Sequence, residues 1–466
     1  MYKRKLADIK VGFVPISKFI FDRNETMRIK SEIEAKLKAW GITFVGIESI
    51  VENGLIYEMK DIDPVVDFLE AEKIDAVFCP HCNFGTEGLV GLLGRRLDLP
   101  FLLWGPVDDP PLENGARTRD TLCGLMASSK VLNKLRVPFT YIENCPIDDP
   151  VFEKEFHQFI RVASVIKSCK KIRIGQIGPR VDFFFTTIIN ESTLLDRFDV
   201  EIWPKDLAQV VAETKKRAAV GGPHYKAQIQ ELKRDFDLEG FTDDAQLVIL
   251  LALRDEILSI VEKQDLHGIA IQNIQTLVYE LGVDQAWVYA VLNDMGIPVG
   301  TETDIHGVIS SLMLQAAALD DGPTFLSDVT IRHPENKNAF LLWHTSWPPS
   351  LADESVKPKL GVHWLWRSEY PGMSHWKTKE GELTLLRFDG EQDEYRIGLG
   401  EVKTVPGPFT QNNYVWAEAE NWKRWERKLI YGPYPHHISC IYGRYKEVII
   451  EASRYLPGVQ VELFDE

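Results

Sequence analysis

The sequence predicts an α/β protein made of two doubly wound parallel-sheet domains followed by a mainly antiparallel β domain. Three observations carry this. Short apolar runs alternate with helix-patterned stretches in the first third of the chain, a second alternation restarts near residue 171, and from about residue 324 β-type segments follow one another with no helical pattern between them. Alternation implies parallel strands joined by crossover helices and covered on both faces, whereas a run of strands split by Pro, Gly and Asp turns implies antiparallel pairing. A chain of 466 residues is also too long for one ordinary core, and the changes of texture divide it at 1–168, 169–323 and 324–466.

In order, VGFVPI (11–16) reads as the first strand. Asn24 is the expected N-cap of a helix that runs to Trp40 and is stopped by Gly41. TFVGIESIV, DAVFCP and PFLLWGP follow as strands, separated by the helical stretches DPVVDFLEAEKI and TEGLVGLLGRRLDL. Ligands of open α/β sheets bind beyond the carboxyl ends of strands, so the loops of interest are 17–23, 81–87 and 107–119. KIRIGQIGPR opens the second block. Its Gly175-x-x-Gly178 lacks the third glycine of a dinucleotide fingerprint and runs straight into Pro179, which argues against nucleotide binding. FDVEIWP as a strand, a long and largely solvated helical stretch from about 205 to 264, HGIAIQNI as a strand and a helix from about 275 to 295 complete that block. TFLSDVTI, AFLLWHT, LGVHWLW, ELTLLRF and YRIGLGEV are the β-type segments of the third, closed by a helix at about 444–455 and the strand VQVELF.

A formal charge of −16 without a Lys/Arg cluster lacks the basic footprint that neutralising a phosphate backbone requires, and no nucleic-acid partner is expected. It suits a cation and a neutral sugar. The start MYKRKLADIKVGFVPI has only a short apolar run, ended by Ser17 and Lys18, and no stretch is long enough to cross a bilayer, so a cytoplasmic protein with no membrane partner is expected. Six cysteines are sparse for this length. The CPHC cluster (Cys79 to Cys82) has no second CxxC to complete a zinc tetrahedron and reads as reduced thiols at a strand end.

The chemistry concentrates in four residues of the second half: Glu302 in GTETDIHG, Asp328 in TFLSDVTI, His344 in FLLWHTSW and His437 in PYPHHISCIYG. Two carboxylates and two imidazoles form a sufficient ligand set for a divalent cation such as Mn²⁺, and each lies at the end of an apolar run that reads as a strand. Blander roles exist for each. Glu302 can cap the helix that begins at Asp304, and His344 can be a core histidine or a sugar contact. Asp328 interrupts an apolar strand, where an unpartnered charge is costly. Of His436 and His437, alternation along a strand lets only one ring face a given side.

The order and spacing of these residues resemble the L-fucose/L-arabinose isomerase family. Members carry a Glu in a T-E-x-D segment, an Asp or Glu about two dozen residues later and a His near the chain end in an N-H or H-H pair, and the arabinose branch adds a further His soon after the second carboxylate. Here TETD holds Glu302, Asp328 lies 26 positions on, His344 follows by 16, and His437 is the second of the pair. The likeness runs from the GFVP opening near residue 12 through IGQIG near 175 to HHIS, and it mixes the branches: an Asp at the second carboxylate as in fucose isomerases, a His at 344 as in arabinose isomerases. It implies metal-dependent interconversion of an aldose and a ketose through a cis-enediol. The ion is Mn²⁺, with Mg²⁺ or Co²⁺ as alternatives, held by Glu302, Asp328, His437 and His344, with Glu302 and Asp328 catalytic. It further implies a homo-oligomer, trimer or hexamer, with shared active sites. The first domain of a neighbouring copy closes the pocket there, which points to His81, Asn83 and Glu87 of loop 81–87 or to Lys18 and Arg23.

Further sugar contacts are expected from His436, from Gln272 and Asn273 at the end of HGIAIQN, although amides also stabilise turns, and from the aromatic stock of the last block. That stock comprises Trp343, Trp347, Trp364, Trp366, Trp376, Tyr414 and Trp416, with Trp416 taken as the sugar-facing ring. The expected substrate is a small aldose or deoxysugar, and the sequence does not distinguish fucose, arabinose or another deoxy-, sulfo- or anionic sugar. A non-catalytic sugar-binding or sensory protein, or an epimerase or lyase on a modified sugar, is the alternative. A pure binder has no need of a hard-cation site.

Overall fold

The computed structural model describes residues 6, 8–365, 367–391 and 394–466. Trp366 and most of the basic start of the chain lie outside them. Two compact units form, one built mainly on Ala7–Lys167 and the other mainly on Ser168–Ile449.

Among the described residues, the first unit has a five-stranded parallel sheet in the order Phe44–Gly46, Val11–Phe13, Ala76–Pro80, Phe101–Trp104, Thr140–Tyr141. Taken by chain position the order is 2-1-3-4-5, one of the two common doubly wound arrangements. Apolar side chains fill both faces. Ile62, Val65, Leu89, Leu93, Leu125 and Leu132 from helices Ile62–Ala71, Glu87–Leu97 and Thr121–Leu135 pack on one side. Ile29, Ile33, Phe152, Phe156 and Phe159 from helices Arg23–Ala39 and Pro150–Ser168 pack on the other, where Trp104 stacks on Phe152 at 3.8 Å. The first helix is capped by Asp22 and not by Asn24: Asp22 Oδ1 accepts from the Glu25 amide at 2.7 Å, whereas Asn24 already lies within the helix.

The second unit opens with a four-stranded parallel sheet in the order Val200–Lys205, Ile172–Ile177, Gly268–Ile271, Val299–Thr301, which repeats the 2-1-3-4 succession. The stretch expected as one solvated helix is two packed helices, Leu207–Asp235 and Asp244–Gln264. Val210, Val211, Tyr225, Ile229 and Leu232 form a buried stripe on the first of them. The helix expected over 275–295 is likewise two, Thr276–Leu281 and Ala286–Asp294. Gly282, at φ +70°, supplies the left-handed residue that ends the first.

The third sheet is mainly antiparallel, as expected. Six of its strands close on themselves in the order Glu394–Val405, Glu382–Glu391, His437–Tyr442, Phe325–Arg332, Ala339–His344, Asn413–Glu418, the last pairing back to the first. Closure leaves these strands no exposed edge, and Phe325, Phe340, Leu342, Leu385, Val415 and Trp425 belong to the accompanying core. LGVHWLW yields only the short strand Lys359–Gly361, after which the chain leaves the sheet until Met373. The helix Trp422–Tyr431, capped by Asn421, was not expected from the sequence.

Helix Ile305–Ala318 is buried along its whole length. It packs against parallel strand Gly268–Ile271 on one side and strands Glu382–Glu391 and His437–Tyr442 on the other. Polar ties fix its register: the Ser311 and Ser439 hydroxyls lie 2.9 Å apart, Ser439 donates to the Gly307 carbonyl, and Ser310 Oγ accepts from the Phe388 amide. The turn entering this helix is so tight that a Cβ on Gly300 would sit 2.3 Å from the Asp304 carbonyl oxygen. Gly300→Ala is therefore expected to cost about 1–3 kcal/mol through overpacking, read as a lowered midpoint in urea unfolding. An unchanged midpoint would mean the turn relaxes freely.

Candidate active site

Each candidate ligand is placed by a different piece of backbone. Asp328 and His437 are directly opposite each other on neighbouring antiparallel strands, so their side chains leave the same face. Glu302 follows the last strand of the second parallel sheet, at its carboxyl end. Glu302 and Thr303 both adopt left-handed backbone with φ of +60°, a conformation that costs of order 1–3 kcal/mol where it is sparsely populated. The turn is held by the Asn273 side chain, which accepts from the Glu302 amide at 2.8 Å. Three further bonds assist: Thr303 N–H to Ile271 O, Asp304 N–H to Thr301 O and Thr187 Oγ1–H to Glu302 O. Asp304, not Glu302, caps the helix, with Oδ1 accepting from the Gly307 amide at 2.9 Å. Glu302 is thereby left to face the site.

His437 Nε2 lies 3.3 Å from Glu302 Oε2 and 3.5 Å from Asp328 Oδ1. His344 Nε2 and His436 Nε2 are 3.8 and 3.9 Å from the same Asp328 oxygen. Among the described residues, two donor groups suited to a metal share His437, one with Glu302 and His436 and the other with Asp328 and His344. The Glu302 Oε2, Asp328 Oδ1 and His437 Nε2 atoms are buried and, beyond their contacts with one another, have no hydrogen-bond partner. Unpartnered buried polar atoms are costly. Two carboxylate oxygens, each 3.3–3.5 Å from the His437 imidazole, offer carboxylate and imidazole chemistry suited to a divalent cation, with the two donor groups meeting at His437.

The two rings of the HH pair differ. His437 is fully buried and its Nδ1 lies 2.9 Å from Asp304 Oδ2. His436 is half exposed, and burial with the neighbouring His437 lowers its pKa. The Thr345 amide donates to His344 Nδ1 at 2.7 Å. Accepting at Nδ1 places the proton of a neutral ring on Nε2, which suits a donor to a substrate oxygen better than a metal ligand.

Glu302, Asp328, His344 and Asn273 line a cavity of about 240 Å³. Its other walls include Trp343, Trp364 and a polar group that the sequence did not flag: Asp284, Tyr289, His363 and Arg367. Arg367 lies 3.4 Å from Asp284 and donates to the Asn273 and Ile274 carbonyls. Burial raises the Asp284 pKa despite Arg367, and burial together with Arg367 lowers His363 to about 4. No local pattern marks this group, since His363 sits in LGVHWLW, which read as a strand, and Arg367 directly follows it. Arg387 and Asp389 did leave a signal: charges two apart on an apolar strand face the same side.

Other expected contacts lie elsewhere. Gln272 is buried beside the turn but is not among the cavity-lining residues. Trp416 packs with Leu341 and Tyr414 and donates to the Pro408 carbonyl, outside the cavity lining. Trp347 and Trp376 are also core. His81 and Asn83 belong to the first unit. There His81 is buried with Nδ1 2.9 Å from Phe84 O and its pKa pushed down to about 4 by burial, and Asn83 braces the Lys18 and Gly85 amides. Cys79 and Cys82 are buried free thiols, with Cys82 raised to about 12 by burial.

Comparison with known proteins agrees with this architecture. Residues 12–170 match the family model described as fucose/sulfoquinovose isomerase, N-terminal domain. Sulfoquinovose isomerases of Priestia aryabhattai and Priestia megaterium are each 25% identical over 458 residues, covering 97% of this chain and 98% of theirs. That of Alkalicoccus urumqiensis is 23% identical over 461 residues, covering 97% and 100%. The resemblance to sugar isomerases thus has independent support from residues 12–170 and from relatives aligned over nearly the whole chain. The chain is an enzyme of the aldose–ketose isomerase class.

Burial alone would lower the His437 pKa, but hydrogen bonds to Asp304 and Glu302 outweigh it and hold the ring up to about 10. A folded-state pKa above the ordinary 6.5 means that this group's stabilisation is complete below about 6.5 and is lost as pH rises through about 10. Protein stripped of divalent ions is therefore expected to melt at progressively lower temperature across that window. Mn²⁺ should flatten the dependence by replacing the proton. A thermal-shift series in EDTA and in Mn²⁺ checks this, and parallel curves would contradict it.

Proposed function

We propose that this chain interconverts an aldose and a ketose through a cis-enediol, using a divalent cation, Mn²⁺ foremost, held by Glu302, Asp328 and His437. The observation that carries the reading is that buried oxygens of Glu302 and Asp328 both lie within 3.3–3.5 Å of His437 Nε2 beside a cavity, in two metal-suited donor groups that share His437. When bound, the cation supplies Lewis-acid stabilisation of the negative charge that develops during proton transfer. The chain's own groups do the rest. Isomerisation moves the C2 proton to C1 and shifts a hydroxyl proton from O2 to O1. Glu302 and Asp328 act as the acid and base for these transfers, one serving carbon and the other oxygen, a role their position beside the cavity supports. His344 donates from Nε2 to a sugar oxygen. Closure of the cavity would limit water at the reacting carbons.

The substrate proposed is a sulfonated or deoxy aldose. The curated relatives are named for a sulfonated sugar, and Arg367 in the cavity wall supports an anionic end group. A panel of aldoses, 6-sulfonated, 6-deoxy and unmodified, assayed for ketose after EDTA treatment and Mn²⁺ addition, tests both statements. Activity is expected to vanish with EDTA and return with Mn²⁺. Glu302→Gln is expected to lose activity and weaken Mn²⁺ binding while melting near the wild type. Full activity and metal content in that variant would sink the assignment.

We also propose a cytoplasmic homo-oligomer, trimer or hexamer, in which loop 81–87 of one copy closes the site of another. Large apolar side chains left exposed in each unit, Phe19 and Ile20 in one and Phe185, Ile430 and Tyr431 in the other, support association. No helix among the described residues is long and apolar enough to cross a membrane. Mixing inactive Glu302→Gln chains with inactive chains altered in loop 81–87 is expected to restore part of the activity. A fully active monomer in dilute solution would refute the shared site.

A further inference from the structure

We infer that Asp304, clamped by Arg387, is the positioning residue that fixes the His437 ring for the cation, an inference that rests on the metal reading above. Asp304 is 1% exposed and Arg387 is fully buried. The carboxylate Oδ2 receives two groups, His437 Nδ1 at 2.9 Å and Arg387 Nη1 at 2.5 Å, while Oδ1 is committed to the Gly307 amide. An ionised carboxylate only accepts, and a guanidinium only donates. With Arg387 on Oδ2, the hydrogen between Asp304 and His437 must be carried by the imidazole at Nδ1. When a cation displaces the Nε2 proton, His437 Nε2 presents its lone pair between Glu302 Oε2 and Asp328 Oδ1.

Arg387 is itself held from behind. Its Nε and Nη2 reach Asp389 Oδ2 at 2.8 and 2.6 Å, and the other Asp389 oxygen lies 3.2 Å from His306 Nδ1. The chain of contacts therefore runs His437, Asp304, Arg387, Asp389, His306, and joins four elements: the turn that carries Glu302, the strand that carries His437, the barrel strand Glu382–Glu391 and helix Ile305–Ala318. Each bond is charge-assisted and leaves little freedom of rotation. Partners of this kind behind a ligating imidazole set ring orientation and tautomer, and their loss typically weakens metal binding by about 10–100-fold.

The test is Asp304→Asn, measured by Mn²⁺ calorimetry on EDTA-stripped protein and by the visible absorption spectrum after Co²⁺ loading. Arg387 and His437 both face the Oδ2 position and the Gly307 amide faces Oδ1, so the amide NH₂ must meet donors on one side: at Oδ2 it removes the acceptor for His437 Nδ1–H, and at Oδ1 it removes that for Gly307 while the ring loses its anionic partner. Mn²⁺ affinity is expected to fall about 10–100-fold, with a Co²⁺ spectrum altered by loss of the imidazole. The single variant leaves Arg387 without one of its buried counter-charges, so Asp304→Asn with Arg387→Met is made alongside it. The double variant is expected to melt closer to the wild type yet to keep the weak affinity and altered spectrum. Wild-type affinity and spectrum in either folded variant would overturn the inference while leaving the metal reading intact. A wild-type protein that takes up neither ion would overturn both.

Discussion

One buried carboxylate ties the second unit together. Asp304 begins the helix that fills the space between the parallel sheet and the barrel, and the same two oxygens receive a backbone amide, a guanidinium and an imidazole. Removing a buried ion from water costs several kcal/mol, and breaking such a pair from one side typically costs about 3–5 kcal/mol. Desolvation would raise the Asp304 pKa, yet Arg387 and His437 together hold it well below the ordinary carboxylate range. The charge is thus a fixed feature of the fold, and the neighbouring turn and strands are arranged around it.

The position of Glu302 follows from that anchor. Its left-handed backbone would relax if unrestrained, but Asn273, the Ile271 carbonyl and the cap at Asp304 hold the residues on either side. The strain is stored where the carboxylate must project away from the helix and toward His437. A side chain that merely capped the helix would point the other way, which is why the division of labour between Glu302 and Asp304 matters. Barrel closure supplies the other half of the site, because a closed antiparallel sheet fixes the register that sets Asp328 opposite His437.

The cavity then has two chemically distinct walls. One carries the carboxylates and imidazoles, and the other carries Arg367, Asp284, Tyr289 and His363, with Trp343 and Trp364 presenting aromatic surface. A sugar needs both kinds of contact: hard ligands near its carbonyl and oriented donors and acceptors for its remaining groups. The relatives, alike over nearly the whole chain at 23–25% identity, share a length that accommodates both parallel sheets and the barrel.

By itself the sequence determined the layer architecture, because alternation of short apolar runs with helical patterns is a local property, and so is its loss after residue 324. It also determined the donor types and singled out Glu302, Asp328, His344 and His437, since charged or imidazole side chains ending apolar strands have few inexpensive roles. Tertiary structure decided the rest. Which ring of the HH pair is buried depends on the strand's register against Asp328, and which acid caps the helix depends on the left-handed turn at Glu302. Neither is written in local periodicity. The Arg367, Asp284 and Tyr289 group joins residues at and before helix Ala286–Asp294 to one that follows a segment read as a strand, and the Asp304–Arg387–Asp389 chain spans residues more than eighty positions apart. Contacts of that range are set by packing, through a buried helix that brings the two sheets' functional ends to one place.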